Sequence, residues 1–154
     1  MPHLVILYTP NLERETDMTG LCRTLADAML DVRDEHGKPV FPTGGTRVLA
    51  YPAAHYAVAD GGIAGRAAGT HTGAASGDPG DYAFIYLNLR MGRGRSAATH
   101  QRVGERLFDA ASAHFAQIFG QRHIGITLQI DEGPEVFDGK RSNLHPLFNS
   151  APKA

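Results

Sequence analysis

The sequence predicts a single α+β domain in which two consecutive βαβ units build one four-stranded sheet with both helices on the same face. Three features carry that expectation. Apolar runs or alternations at His3 to Tyr8, Arg47 to Tyr51, Tyr82 to Met91 and Ile124 to Asp131 have strand character. Two longer stretches between them repeat apolar residues every three or four positions, as amphipathic helices do. Crossovers between parallel neighbours are nearly always right-handed, which sends both helices to one side of the sheet.

Each element has its own local cause. HLVILY at 3–8 is a continuous apolar run, expected for a strand covered on both faces. Beyond the turn residues Pro10 and Asn11, the stripe Met18, Leu21, Cys22, Leu25, Met29 and Val32 predicts a helix over about 17–36. Thr16 or Asp17 caps its start, Gly37 ends it, and Pro39 lies beyond. The turn at Gly44 and Gly45 opens the second strand at Arg47. YAFIYLNLRM at 82–91 is the third strand, and Val103, Leu107, Ala111, Phe115 and Ile118 mark a second helix over Ser96 to Phe119. Ile124, Ile126, Leu128 and Ile130 then alternate with Gly125, Thr127, Gln129 and Asp131, so the fourth strand has two unlike faces.

A chain of 154 residues suits one domain, 1–154. Fifteen Lys and Arg against sixteen Asp and Glu give a net charge of −1, so no global field draws in nucleic acid or an anionic membrane. The single Cys22 excludes an internal disulfide and any multi-cysteine metal site, and fits the cytoplasm. The eight histidines show neither HxH nor HExxH spacing, so no metal site is predicted. No run approaches the ~20 apolar residues of a membrane span, and MPHLVILYTP lacks the character of a secretion signal. The insert at 60–80, rich in Gly and Ala from Gly61 to Gly80, offers little to bury and is expected to be a flexible loop. The 133–148 tail, with anchors Val136, Phe137, Leu144, Leu147 and Phe148, is expected at an interface, and 149–154 to be frayed. With both helices on one sheet face, the other needs a cover, and another copy of the chain is the natural one.

Taken together, PH at the start, FPTGGTR at 41–47, DYAFIYLNLRMGRGRS at 81–96, the helix ending HFAQIF and the NLHPLF tail resemble the 5-carboxymethyl-2-hydroxymuconate delta-isomerase family of the tautomerase superfamily. The resemblance covers nearly the whole chain apart from 61–80. It implies a tautomerase-like homotrimer with an active site near each subunit interface, acting on a small unsaturated carboxylic acid without metal or organic cofactor. By position, Pro2 matches the catalytic base, and Arg47 and Arg95 match the arginines that hold substrate carboxylates or polarise the oxygen. The insert at 60–80, and VLAYP after Arg47 where a second arginine can occur, depart from the family pattern. Both bear on the pocket, so reaction type is better supported than exact substrate.

The residues make chemical sense in those roles. Moving a proton between the oxygen and carbon of a dienol needs a base and an acid, and one group with a pKa near neutrality serves as both. Methionine before proline is commonly removed, leaving a secondary amine whose reference pKa of ~8 falls when apolar walls and nearby guanidiniums disfavour the cation. A retained Met1 would make that nitrogen a non-basic amide. The bland alternative for Pro2 is a proline that merely begins a strand. Arg95 follows Gly92, Arg93 and Gly94 at a strand-to-helix junction that favours an anion, and its guanidinium can grip a carboxylate; the alternative is an exposed turn arginine, the fate expected for Arg93. GRGRS lacks both GxGxxG and GxxxxGK[ST], which argues against a nucleotide site. Arg47 can polarise a carbonyl oxygen, or form a surface salt bridge. His3 is expected to face away from Pro2's side of the strand, His114 and His123 to be structural, and Cys22 to be a small buried hydrophobe. Arg66 and His71 reach the pocket only if the insert acts as a lid.

The leading expectation is therefore an isomerase of an unsaturated 2-hydroxy or 2-oxo diacid with Pro2 as general acid and base. The alternatives are a non-catalytic oligomeric binder of small dicarboxylates, or a hydratase or dehalogenase reaction on the same scaffold.

Overall fold

Along His3–Tyr8 (β1) the side chains alternate between two environments: Leu4, Ile6 and Tyr8 are buried, His3 and Val5 are half-buried, and Leu7 is exposed. In this computed structural model, which describes residues 2–68, 82–133 and 136–149, that alternation sets the two faces of the whole sheet. Arg47–Pro52 (β2), Ala83–Met91 (β3) and Ile124–Glu132 (β4) complete it in the order β2-β1-β3-β4. β1 pairs parallel with β2, β3 pairs parallel with β4, and the two units meet through antiparallel β1 and β3. The expected pair of βαβ units on one sheet is thus the observed architecture. β1 is covered on one face of the chain, rather than on both as its apolar run led one to expect.

Helices Met18–Asp31 (α1) and Ala97–Phe119 (α3) pack on the covered face. α1 inserts Leu21, Leu25, Ala28 and Met29, and α3 inserts Val103, Leu107, Ala110, Ala111, Phe115 and Ile118. They close over Leu4, Ile6, Ile85, Leu87 and Leu89 to form one core. Asp17 caps α1 by accepting from the Gly20 N–H, and Ser96 caps α3 by accepting from the Thr99 N–H. At the far end of α3, His114 Nε2 meets Thr16 Oγ1 at 2.7 Å and Arg122 donates to Glu15 at 2.6 Å, tying the helix to the segment ahead of α1. Burial holds the His114 pKa below its usual value, in keeping with a structural role.

Two expectations are corrected. α1 ends at Asp31, about a turn earlier than predicted, because Val32 turns extended and a tight hairpin follows. Asp34 Oδ1 accepts from the N–H groups of His36 and Lys38, Arg33 pairs with Pro39, and Gly37 takes a positive φ of 76°. Gly37 therefore serves this hairpin and does not stop the helix. The stretch expected as a loop from 60 onward contains a short helix, Ile63–Ala68 (α2), started by Asp60, whose carboxylate accepts from Gly62 and Ala64 N–H groups. Residues 69–81, including His71, and 150–154 lie outside the described residues. In the tail, His145–Asn149 (α4) packs against the Thr43–Gly45 turn that precedes β2, while Val136 and Phe137 are exposed.

Phe115 is fully buried between helix and sheet. Phe115→Ala should cost about 3–5 kcal/mol of stability. Urea unfolding is the check, with a lowered midpoint and an unchanged slope expected.

Candidate active site

Because β1 and β3 run antiparallel, the end of the sheet where β1 and β2 begin is also where β3 and β4 finish. At that end the register pairs His3 with Arg47 on one side and Arg90 on the other, and Arg90 with Asp131. Strand alternation puts this row, Arg47, His3, Arg90 and Asp131, on the open face away from the helices. Pro2, one residue earlier, is buried and shares the phase of Leu4, so His3 faces away from it as expected. Arg95 lies four residues past the end of β3, at the same end. Thus Pro2, Arg47 and Arg95, far apart in sequence, are gathered at one edge of the fold.

Arg47 is half-buried and its Nη1 donates to the Gly45 carbonyl at 3.2 Å. Burial, and then the Arg47 guanidinium, hold the His3 pKa below its usual value, so this ring is neutral at neutral pH. Arg95 is also half-buried, and its position is braced from two sides. Nη1 donates to the Gly92 carbonyl at 2.8 Å and Nη2 to the Val40 carbonyl at 3.1 Å. A guanidinium has five N–H donors, so two such bonds fix its plane and leave others for a ligand. Arg93 is exposed, the fate expected for it.

A support for Arg95 comes from residues that sequence reasoning did not single out. The hairpin at 33–40, which supplies the Val40 carbonyl, is fastened to the start of α3. Ser96 and Thr99 donate their hydroxyls to the two oxygens of Glu35, and Arg102 donates to the Arg33 carbonyl at 2.9 Å. Those hydrogen bonds, from Ser96 first and Thr99 second, pull the Glu35 pKa down to about 2. Glu35 has no spacing motif, so only the fold reveals it. Arg90 could have been found, because the period of two in YAFIYLNLRM places it with Phe84, Tyr86 and Asn88 on the open face.

The remaining candidates fall into place away from this edge. Cys22 is half-buried against the core, and burial raises its thiol pKa. His123 meets the Tyr82 ring edge-on at 5.9 Å. A cavity of about 430 Å³, lined by Val58, Ala64, Gly65, Tyr82, Phe84 and His123 among others, lies at the opposite end of the sheet. Among the described residues, no guanidinium or ammonium group lines it to meet an acidic substrate. Among the described residues, no group of three or more His, Cys, Asp or Glu could hold a metal ion, and no helix is long and apolar enough to cross a membrane.

Comparison with known proteins shows the family. Residues 2–148 match the family described as 5-carboxymethyl-2-hydroxymuconate isomerase. The chain is 27% identical over 148 residues to the 5-carboxymethyl-2-hydroxymuconate Delta-isomerase of Escherichia coli, covering 96% of this chain and 99% of that one. A crystal structure of a 5-carboxymethyl-2-hydroxymuconate delta-isomerase is 60% identical, with a TM-score of 0.90 and coverage of 99% of this chain and 96% of that one. The 5-carboxymethyl-2-hydroxymuconate isomerase of Deinococcus radiodurans R1 is 31% identical, with a TM-score of 0.73 and coverage of 96% and 93%.

The Glu35 clamp has a pH signature. A carboxylate whose folded pKa is depressed stabilises the fold above its ordinary value of 4.5, and the contribution is lost as pH falls towards about 2. The difference in unfolding free energy between wild type and Glu35→Gln should therefore shrink steadily from about pH 6 to about pH 2. Urea titrations at several pH values measure it, and a pH-independent difference would show that the clamp does not depend on the charge.

Proposed function

Since this chain belongs to the 5-carboxymethyl-2-hydroxymuconate isomerase family, we propose that it moves a proton between oxygen and carbon of 5-carboxymethyl-2-hydroxymuconate or a closely similar unsaturated acid. The observation that carries the reading is the gathering of Pro2, Arg47 and Arg95 at one end of the sheet, in a chain that matches the family from residue 2 to 148.

In this reading Met1 is removed and Pro2 presents a secondary amine. Its burial and the guanidinium at the start of β2 both disfavour the ammonium form, which lowers the proton affinity of the amine. The unprotonated amine takes the proton from the 2-hydroxyl group of the dienol. As the O–H bond breaks, the oxygen becomes a carbonyl, the double bonds shift along the chain, and the ammonium returns the proton to carbon. Arg47 stabilises the negative charge that develops on the oxygen, and Arg95, fixed by the Gly92 and Val40 carbonyls, holds a carboxylate. The ring of proline aims the lone pair with little loss of entropy.

The same reading makes the assembly a homotrimer in the cytoplasm. Its support is the uncovered sheet face, where Leu7, Leu49, Tyr51 and Phe84 are exposed. The exposed tail residues Val136 and Phe137 are further contact surface in that assembly.

The mass of the mature chain should be short by one methionine, and a chain that keeps Met1 would point instead to a dicarboxylate binder. Pro2→Ala should preserve the fold and lower kcat by about a hundredfold or more, the usual worth of a general acid or base. Wild-type rates in that variant would remove the proposed base. Arg47→Gln should lower kcat by about a hundredfold or more and shift the amine's pH profile upward, because a nearby positive charge is lost. Steady-state assays on the dienol read both variants.

A further inference from the structure

Among the described residues, Arg90 is a cation without a hydrogen-bond or ion-pair partner. It is exposed on the open face, directly across from His3 in the β1–β3 register and in the same row as Arg47. Its cross-strand neighbour Asp131 does not bond to it; Asp131 Oδ2 accepts instead from Asn88 Nδ2 at 2.8 Å. Arg90 makes no hydrogen bond or ion pair with any described residue. The guanidinium is nevertheless seated. It lies against Gly133, so closely that a Cβ there would stand 2.9 Å from Nη2 and 3.2 Å from Nε. A glycine thus makes room for a planar cation that has no hydrogen-bond or ion-pair partner among the described residues, beside the edge where Pro2 begins β1.

The acid for which the family is named has more charge than two arginines match. A muconate is a six-carbon dicarboxylate, and the 5-carboxymethyl branch adds a third carboxylate. Adjacent strands are ~4.8 Å apart, so Arg47 and Arg90, which flank His3, start ~10 Å from each other with Pro2 between their strands. We propose that Arg90, cradled by Gly133, binds a third substrate carboxylate and sets a preference for triacids over acids with fewer carboxylates. This inference rests on the functional reading above. The ring of His3 between the two arginines completes the row without adding a third positive charge at neutral pH. A guanidinium can meet a carboxylate with two parallel charge-assisted hydrogen bonds, so its loss should be felt mainly in binding of the branch.

The test compares the triacid dienol with a monoacid enol, phenylenolpyruvate, in wild type, Arg90→Gln and Gly133→Ala. The ratio of kcat/KM for triacid over monoacid should fall about tenfold or more in Arg90→Gln, through KM for the triacid. Gly133→Ala, which displaces the guanidinium without removing it, should move the ratio in the same direction by a smaller factor. A ratio unchanged in Arg90→Gln would overturn the assignment. Equilibrium binding separates this outcome from failure of the functional reading: propane-1,2,3-tricarboxylate should bind wild type more tightly than glutarate does, and Arg90→Gln should erase that difference. Absence of wild-type turnover on both enols would sink the isomerase reading alone, whereas equal binding of the two saturated acids to wild type would sink the Arg90 proposal alone.

Discussion

The antiparallel pairing of β1 with β3 determines where Pro2 and the arginines of both units come together. Each βαβ unit is internally parallel, so its strand starts share one end and its strand finishes the other. Joining the units head to tail brings the start of the first, with Pro2 and Arg47, beside the finish of the second, with Arg90 and Arg95. Had the units met in parallel, the loop after β3 would lie a strand length away from Pro2, at ~3.3 Å per residue across β1. Strand pairing in register is strongly specified where one face is buried, because a slip of one residue would expose Leu4 and Ile6 and bury His3. The core that stabilises the sheet therefore also fixes which side chains stand at the edge.

A second layer of support makes the edge firm. The segment between α1 and β2 has no regular structure long enough to hold itself, yet it supplies the Val40 carbonyl that braces Arg95. Its anchor is the first turn of α3, where Ser96 both caps the helix and donates to Glu35. One serine thus couples helix initiation to loop position. Residues 33–40 and 92–96 come from different βαβ units, so the clamp also ties the two halves together on the helix side of the sheet.

Much of this was legible in the sequence, and the parts that were not have physical reasons. The strands and helices were found because their apolar periods of 2 and 3.6 report burial directly, as in Ile124 to Ile130 and Val103 to Phe115. The end of α1 was misplaced because Gly37 looks like a helix stop, whereas the stop is made by Val32 turning extended and by the Asp34 side chain bonding ahead of it. The short helix at Ile63–Ala68 was hidden by composition: Gly and Ala carry no apolar stripe, and its cap, Asp60, lies outside the pattern. The family resemblance singled out Pro2, Arg47 and Arg95, whereas Glu35 and the Val40 carbonyl act through contacts between distant segments that no spacing encodes.

The carboxylates near the edge show how a chain of net charge −1 can keep local cations unneutralised. Glu35 lies close to Arg95 in the fold yet is engaged by the neutral hydroxyls of Ser96 and Thr99, and Asp131 beside Arg90 is engaged by the neutral amide of Asn88. Arg95 is itself oriented by backbone carbonyls, which fix its plane without cancelling its charge. An ion pair in the same place would hold the guanidinium equally well, but an anionic ligand would then have to displace the internal carboxylate, losing most of the electrostatic gain. Neutral partners for both signs avoid that competition. They leave a positive field at the strand end where Pro2 lies, and such a field both attracts a polyanionic acid and lowers the proton affinity of an amine. In the proposed reaction, substrate capture and activation of Pro2 thus draw on one arrangement of charge.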